Sequence, residues 1–311
     1  MLGKPNCNSI NTGLVDTTSM SVSESGNSDV IVIKDLVKKY DDKVAVDGIS
    51  FSVHDGELFG FLGPNGAGKT TTVRCISTLT NITSGQVLVN GIDIAKDQTE
   101  AKKYMGVIQQ QISLDKDLTI RENMISHATY HGMGKKERDE RITELSDYFG
   151  LGEYLDKPVD SLSGGWKKRA AIVCAMLHQP KVLFLDEPTT GLDINARRLL
   201  WDVVKRLNST GTTIVLTTHY IEEAQVLCDR VGIIDHGKII ALDTPRELIN
   251  RTGKMCVENM EGEKTVYRYF PHMADAQQYI ADNHLEDAVM RRTSLEDVFV
   301  ELTGKSVGDQ R

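Results

Sequence analysis

Apolar residues first fall into a regular pattern at Val30. The stretch VIVIKDLVKKY (30–40) is followed by VAVDGISFSV (44–53), and both are rich in β-branched residues. They predict two strands, with Asp41 and Asp42 at the turn between them. ELFGFL (57–62) predicts a short buried strand, after which come a glycine-rich turn and a helix. QVLVNG (86–91) predicts a returning strand. From about Asp115 to His178 the apolar spacing is helical. Then come KVLFLDEP (181–188), TTIVLTTH (212–219) and RVGIIDHGKIIAL (230–242). These runs lack polar alternation, as expected of strands covered on both faces of a sheet. Helical patterns separate them, so the expected class is α/β with crossover connections.

TPRELINRTG (244–253) predicts a short helix, with Thr244 at its start and Gly253 past its end. Beyond Gly253 the pattern changes to strand, helix, strand, helix: KTVYRYF, MADAQQYIADNH, DAVMRRT and SLEDVFVELTG. Ser294 is the expected N-cap of the last helix, Asp297 its third position and Gly304 its terminator. The expected organisation is a tail at 1–28, a main domain at 29–253, an accessory α+β unit at 254–304 and a tail at 305–311. The first 28 residues, rich in Ser, Asn, Thr and Gly, lack apolar periodicity. No internal repeat is visible.

Composition narrows the functional classes. The 311 residues carry a formal net charge of −8, which disfavours nucleic acid as the main partner, since duplex binding needs a basic face. No run approaches the roughly 18 apolar residues of a membrane span. No basic segment followed by an apolar core marks the N-terminus, so no secretory signal is expected. The five cysteines (Cys7, Cys75, Cys174, Cys228, Cys256) form no CxxC pair. Free thiols in a reducing cytoplasm are expected, with neither disulfides nor zinc.

The sharpest chemical signal is Gly63-Pro64-Asn65-Gly66-Ala67-Gly68-Lys69-Thr70, followed by Thr71. Glycines let successive backbone N–H groups wrap an anion, and the following helix turns its positive end toward it. Lys69 supplies a cation for β and γ phosphates, and the Thr70 hydroxyl suits Mg²⁺. The strand before it and the helix after it are the setting this phosphate loop requires. The apolar strand of KVLFLDEP then delivers Asp186 and Glu187 to its end. Asp186 suits Mg²⁺, and Glu187 suits polarising an attacking water. Alone, that second motif is equally an ordinary strand-end turn.

Between these motifs lies LSGGW, Leu162 to Trp166, which is similar to the signature of ABC ATPases. With that motif in place, residues 30 to 245 resemble an ABC ATP-binding subunit. The resemblance implies a phosphate-loop NTPase core with an antiparallel β subdomain, a helical subdomain at about 115–178 and the C-terminal extension. It implies that Tyr40 stacks on adenine and that Gln110 senses the γ-phosphate and contributes to the metal site. It implies that Asp193, in Gly191-Leu192-Asp193, lies at a dimer interface and that His219 contacts the γ-phosphate. Ser163, Gly164 and Gly165 would grip ATP held by a second subunit. Judged without the family, Tyr40 reads as a core aromatic, His219 as a structural histidine and Gln110 as uninformative. Gln109 and Gln111 leave the register at Gln110 open.

Trp166 departs from the family pattern, which has Gln at this position. The expectation is retained ATPase activity, with the indole packed or stacked. Lys167-Lys168-Arg169 reads as a solvated helix face. SLDKDLTIREN (113–123) and SLEDVFVELTG resemble type-2 exporters of the daunorubicin-resistance and nodulation-export groups. The expected function is therefore ATP hydrolysis driving export, with ATP and Mg²⁺ bound. The expected partners are a separate transmembrane permease and a second ATP-binding subunit. The expected location is the cytoplasmic face of a membrane. The alternative is a non-transport ABC ATPase, associated with ribosomes or DNA repair. A GTPase is disfavoured, since no Asn-Lys-x-Asp motif is present.

Overall fold

The structure, a computed structural model, describes residues 28–262 and 264–304. Residues 1–27 and 305–311, and with them the two expected tails and Cys7, lie outside the described residues.

The chain opens with β1 (Asp29–Tyr40), β2 (Lys43–His54) and β3 (Leu58–Leu62), then α1 (Lys69–Ile76). Next come β4 (Ser84–Val89), β5 (Ile92–Asp93), α2 (Gln98–Lys102) and β6 (Met105–Ile108). The helical stretch contains α3 (Ile120–Tyr130), α4 (Lys135–Tyr148) and α5 (Gly164–Ala175). Thr119 and Glu122 close a reciprocal cap at the start of α3, satisfying N–H groups the helix itself cannot pair. There follow β7 (Val182–Asp186), α6 (Ile194–Ser209), β8 (Thr213–Thr218) and α7 (Ile221–Leu227). β9 (Arg230–Asp235), β10 (Lys238–Asp243) and α8 (Pro245–Thr252) follow these. The last group is β11 (Met255–Glu261), β12 (Lys264–Phe270), α9 (Met273–Asp282), β13 (Val289–Arg292) and α10 (Leu295–Thr303).

A six-stranded sheet, in the order β10-β9-β3-β8-β7-β6, forms the centre. All its pairs are parallel except β10 with β9. Strands β3, β7 and β8 are buried along their whole length, the condition that permits uninterrupted apolar sequence. Period-two alternation sends their side chains to two different cores. Leu183, Leu185, Ile214 and Leu216 pack with α3, α5, α6 and α7. Phe184, Val215, Phe59 and Phe61 pack instead with the second sheet and α1. That second sheet is antiparallel, in the order β2-β1-β4-β5.

RVGIIDHGKIIAL is two strands rather than one doubly buried run. It reverses at His236 and Gly237, both of which hold positive φ. β10 then returns antiparallel at the sheet edge, half-buried, so its polar Lys238 and Asp243 are accommodated. A third sheet, β12-β11-β13, covers one side of a small core of Met255, Val257 and Ala276. β11 had no clear sequence signal, because MCVENME mixes polar and apolar residues: Met255, Cys256, Val257 and the polar Asn259 are buried, while Met260 and Glu261 are exposed. The apolar face of α10 (Leu295, Val298, Phe299) joins the main core beside Leu248 of α8.

Candidate functional site

The loop from Gly63 to Gly68 leaves the buried end of β3 and feeds directly into α1. Gly66 and Gly68 have φ of 80° and 110°, values that side chains with a Cβ adopt only under strain. A Cβ on Gly68 would stand 2.6 Å from the Ala45 carbonyl oxygen, and one on Gly63 would stand 2.3 Å from that of Ile234. The loop is thus wedged between β2 and β9, and only glycine fits at its two ends. No acidic residue lies in the first turn of α1, so its positive end is left uncompensated for an anion.

Above the loop opens a cleft of about 650 Å³. It is lined by Tyr40, Asn65, Gly66, Gly68, Lys69, Thr70, Thr71, Gln110, Glu187 and His219, all anticipated from sequence. Lys43, Ala45 and Thr190 complete the lining and had not been anticipated. Tyr40 is 44% exposed, which excludes the core-aromatic reading. Its ring lies under the Lys38 ammonium, 4.6 Å from the centroid.

Lys69 is 4% exposed and donates to the carbonyls of Gly63 at 2.7 Å and Pro64 at 3.1 Å. Its Nζ also lies 3.5 Å from Glu187 Oε1. Burial pushes its pKa down, and the carboxylates of Glu187 and Asp186 oppose that shift. Asp186 sits just beneath the cleft, where Oδ1 accepts from Thr70 Oγ1 at 2.9 Å and from Thr217 Oγ1 at 2.5 Å. A buried carboxylate beside the hydroxyl of the phosphate loop is a hard oxygen donor set of the kind Mg²⁺ takes. The described residues thus fit both a nucleotide triphosphate and this ion.

Glu187 is the point on which the site converges. It has a left-handed backbone (φ 46°), a strained conformation that the surroundings must hold in place. Its N–H is held by the carbonyl and hydroxyl of Thr217, at 3.1 and 3.0 Å. Oε2 receives Thr190 Oγ1 at 3.1 Å and Gln110 Nε2 at 3.3 Å. His219 Nδ1 also stands 3.3 Å from Oε2, a close electrostatic contact without a well-formed hydrogen bond. The His219 contact, aided by the Lys69 charge and against the effect of burial, lowers the Glu187 carboxyl to about 2. Glu187 is therefore ionised at neutral pH and accepts hydrogen bonds only.

Ser163, Gly164, Gly165 and Asp193 are not part of this cleft. Ser163 caps α5 without a side-chain hydrogen bond of its own, and Ser163 and Gly164 are exposed. Gly164 and Gly165 are close to Leu192 and Ala196, so the start of α5 abuts the Gly191–Asp193 turn that leads into α6. Asp193 caps α6 by accepting from Ala196 N–H at 2.8 Å. Together these residues form a second, outward-facing patch.

Trp166 stacks on Tyr154 with centroids 4.0 Å apart and planes 27° apart, and the Arg169 guanidinium lies 4.4 Å from its ring. The indole therefore packs within the helical region. Lys167-Lys168-Arg169 is not the solvated face that charge alone suggests. Lys168 is 5% exposed and donates to the Gln110 carbonyl at 2.6 Å. The helix turns this cation inward because a backbone acceptor and the field of Asp186 and Glu187 meet it there. Sequence also passed over Thr190 and Thr217. Their signal was position alone: one lies three residues after Glu187, the other two residues before His219.

Among the described residues, no helix is long and apolar enough to cross a membrane. Residues 46–190 match the ABC transporter family. The linearmycin resistance ATP-binding protein LnrL of Bacillus subtilis (strain 168) is 43% identical over 220 residues, 71% of each chain. The Nod factor export ATP-binding protein I of Sinorhizobium fredii is 36% identical over 309 residues, 93% of this chain and 90% of its own. A solved dimeric ATP-binding cassette in a post-hydrolysis state, bound to ADP and Pi, superposes with a TM-score of 0.62 at 27% identity. That superposition covers 69% of this chain and 98% of the cassette. A nucleotide cleft of this geometry, on a chain with these relatives, belongs to a transport-associated ATPase: the protein is an ATP-binding, ATP-hydrolysing subunit of the ABC transporter family.

Proposed function

We propose that two copies of this chain close on two ATP molecules and thereby drive export through a separate membrane permease. The observation that carries the sandwich is the separation of the two patches. The cleft has a loop, a cation and a carboxylate, yet the Ser163–Gly165 helix start faces outward away from it. A helix N-terminus with a free serine hydroxyl suits a γ-phosphate presented by another molecule. Two-fold pairing would let each copy supply its outward patch to the other's cleft.

In this reading Lys69 leaves Glu187 for the β and γ phosphates when ATP enters. Thr70 and Asp186 would hold Mg²⁺, with Gln110 near it, and the ion would supply positive charge beside the phosphates. Glu187, released from Lys69 but still gripped by Thr190, orients the attacking water. His219 turns from Glu187 to the γ-phosphate, and Tyr40 stacks on the adenine. The anionic charge that develops on the γ-phosphate is met by Lys69, by the loop N–H groups and by the partner copy's Ser163. Loss of that phosphate removes the bridge and lets the copies part.

Export is supported by the resistance and export functions of the relatives. The permease would dock near Gln110 and the helical region, at the cytoplasmic face. The patch pairing is tested with cysteines placed at Asn65 and Ser163 in otherwise unaltered chains. ATP with Mg²⁺ should promote a cross-link between copies carrying one cysteine each. Failure to cross-link under nucleotide, or a cross-link within one chain, contradicts it. Co-purification of a multi-helix membrane protein tests the export claim, and stable association with ribosomes instead would overturn it.

A further inference from the structure

Beneath the catalytic end of the sheet lies a buried carboxylate that the reaction outlined above does not use. Glu223, in the first turn of α7, is fully buried. Trp201 Nε1 of α6 donates to its Oε1 at 2.9 Å. Thr189 Oγ1 donates to its Oε2 at 3.3 Å. Thr218, whose Oγ1 accepts from Tyr220 N–H at 2.9 Å, adds a favourable side-chain interaction with the carboxylate. Arg197 of α6 adds a favourable charge, while its guanidinium lies 4.0 Å above the Tyr220 ring.

The two threonines occupy related places. Thr189 directly precedes Thr190, whose hydroxyl contacts Glu187 Oε2 at 3.1 Å. Thr218 directly precedes His219, whose Nδ1 stands 3.3 Å from the same oxygen. One carboxylate thus meets a threonine side chain from each of the two segments that reach Glu187. We propose that Glu223 is a positioning residue, which fixes the Thr189–Thr190 and Thr218–His219 segments so that both converge on Glu187.

The inference rests on Glu187 being the residue that orients water. Burial pushes the Glu223 carboxyl up, and the side chains of Thr218, Trp201 and Thr189 oppose that shift. The group is therefore costly to bury, and a packing role alone would be met as well by an apolar side chain. A neighbouring contact also extends the network outward. Arg197 sits one turn into α6, whose capping residue Asp193 belongs to the outward-facing patch.

The chemistry predicts which substitutions act. In Glu223→Gln one oxygen still accepts from Trp201, but the amide turns N–H donors toward the threonine hydroxyls. Thr189→Val removes one branch with little change of volume, and Thr189→Ser keeps its hydroxyl. The experiment measures kcat and KM for ATP on the full chain, together with thermal unfolding, for these three variants and Glu187→Gln. Displaced geometry should lower kcat about 10- to 100-fold in Glu223→Gln and Thr189→Val, with KM little changed. Thr189→Ser should restore turnover, and the Glu223→Gln/Thr189→Val double variant should fall no further than the worse single one. Normal turnover in Glu223→Gln or Thr189→Val, with Glu187→Gln inactive, overturns the role of Glu223 and leaves Glu187 standing. Normal turnover in Glu187→Gln overturns both. If Glu223→Gln does not fold, the contrast between Thr189→Val and Thr189→Ser decides the matter: equal turnover refutes the proposal.

Discussion

Replacing Trp166 with glutamine, the residue the family has at this position, removes the indole stacked on Tyr154 and held by Arg169. The pair at 4.0 Å is a stacked arrangement of the kind that contributes about 0.5–1.5 kcal/mol beyond simple burial. The guanidinium at 4.4 Å contributes about 0.5–1 kcal/mol more at a partly solvated site. The indole is only half-buried, so the sum belongs near the low end, about 1–2 kcal/mol. In a domain of this size each kcal/mol moves the melting temperature by about 2–4 °C, giving a fall of roughly 2–8 °C. Catalysis should respond differently. Ser163 and the glycine N–H groups are unchanged, and loss of one direct transition-state donor costs about 100- to 1,000-fold. Because Trp166 is not such a donor, turnover should change by less than about tenfold. The assay pairs calorimetric unfolding with steady-state ATP hydrolysis on the same preparation. An unchanged melting temperature would refute the stacking argument. A hundredfold rise in turnover would show instead that the indole restrains the signature.

Further outcomes follow from the same geometry. Lys69→Ala should weaken ATP binding itself, measured by equilibrium titration, if Lys69 is the cation for the β and γ phosphates as proposed; unaltered affinity would contradict this. Lys168→Met should speed hydrogen exchange across residues 109–113 while α5 stays protected, because the bond at 2.6 Å to the Gln110 carbonyl is removed. Glu187 is held near 2 against an ordinary 4.5, so its contribution to stability is complete above about pH 4.5. That contribution is lost as pH falls from 4.5 toward 2, and Glu187→Gln should flatten the stability slope in that window. Parallel slopes in the two proteins would show that the carboxyl is not perturbed.

The parts legible in sequence were those whose physics is local. The strand–loop–helix around Lys69 announces itself because glycine spacing, a preceding apolar run and a following helix all occur within a few residues. Thr244, Pro245 and Gly253 mark both ends of α8 in the same way. Fully buried strands such as β7 and β8 were visible as unbroken apolar runs, whereas β11, which buries Asn259 and leaves Met260 and Glu261 exposed, was not. Long-range partners left no local trace. Lys168 looked solvated because its acceptor, the Gln110 carbonyl, lies 58 positions away. Glu223 has no distinguishing neighbours in the Ile-Glu-Glu-Ala stretch, since Trp201 and Thr189 reach it only in the folded chain. Thr190 and Thr217 are ordinary threonines until Glu187 and Asp186 are placed beside them.

The central claim is that Glu187 orients water in a site completed by a second copy. Glu187→Gln keeps the shape of the side chain and its contacts with Thr190 but removes the charge. Purified in ATP and Mg²⁺, it should elute as a dimer with about one nucleotide triphosphate per chain, and revert to monomer without nucleotide. Its hydrolysis should fall by about 100- to 10,000-fold, the contribution of a positioned acid–base group. A Glu187→Gln protein that stays monomeric with ATP and hydrolyses it at the wild-type rate would contradict the account.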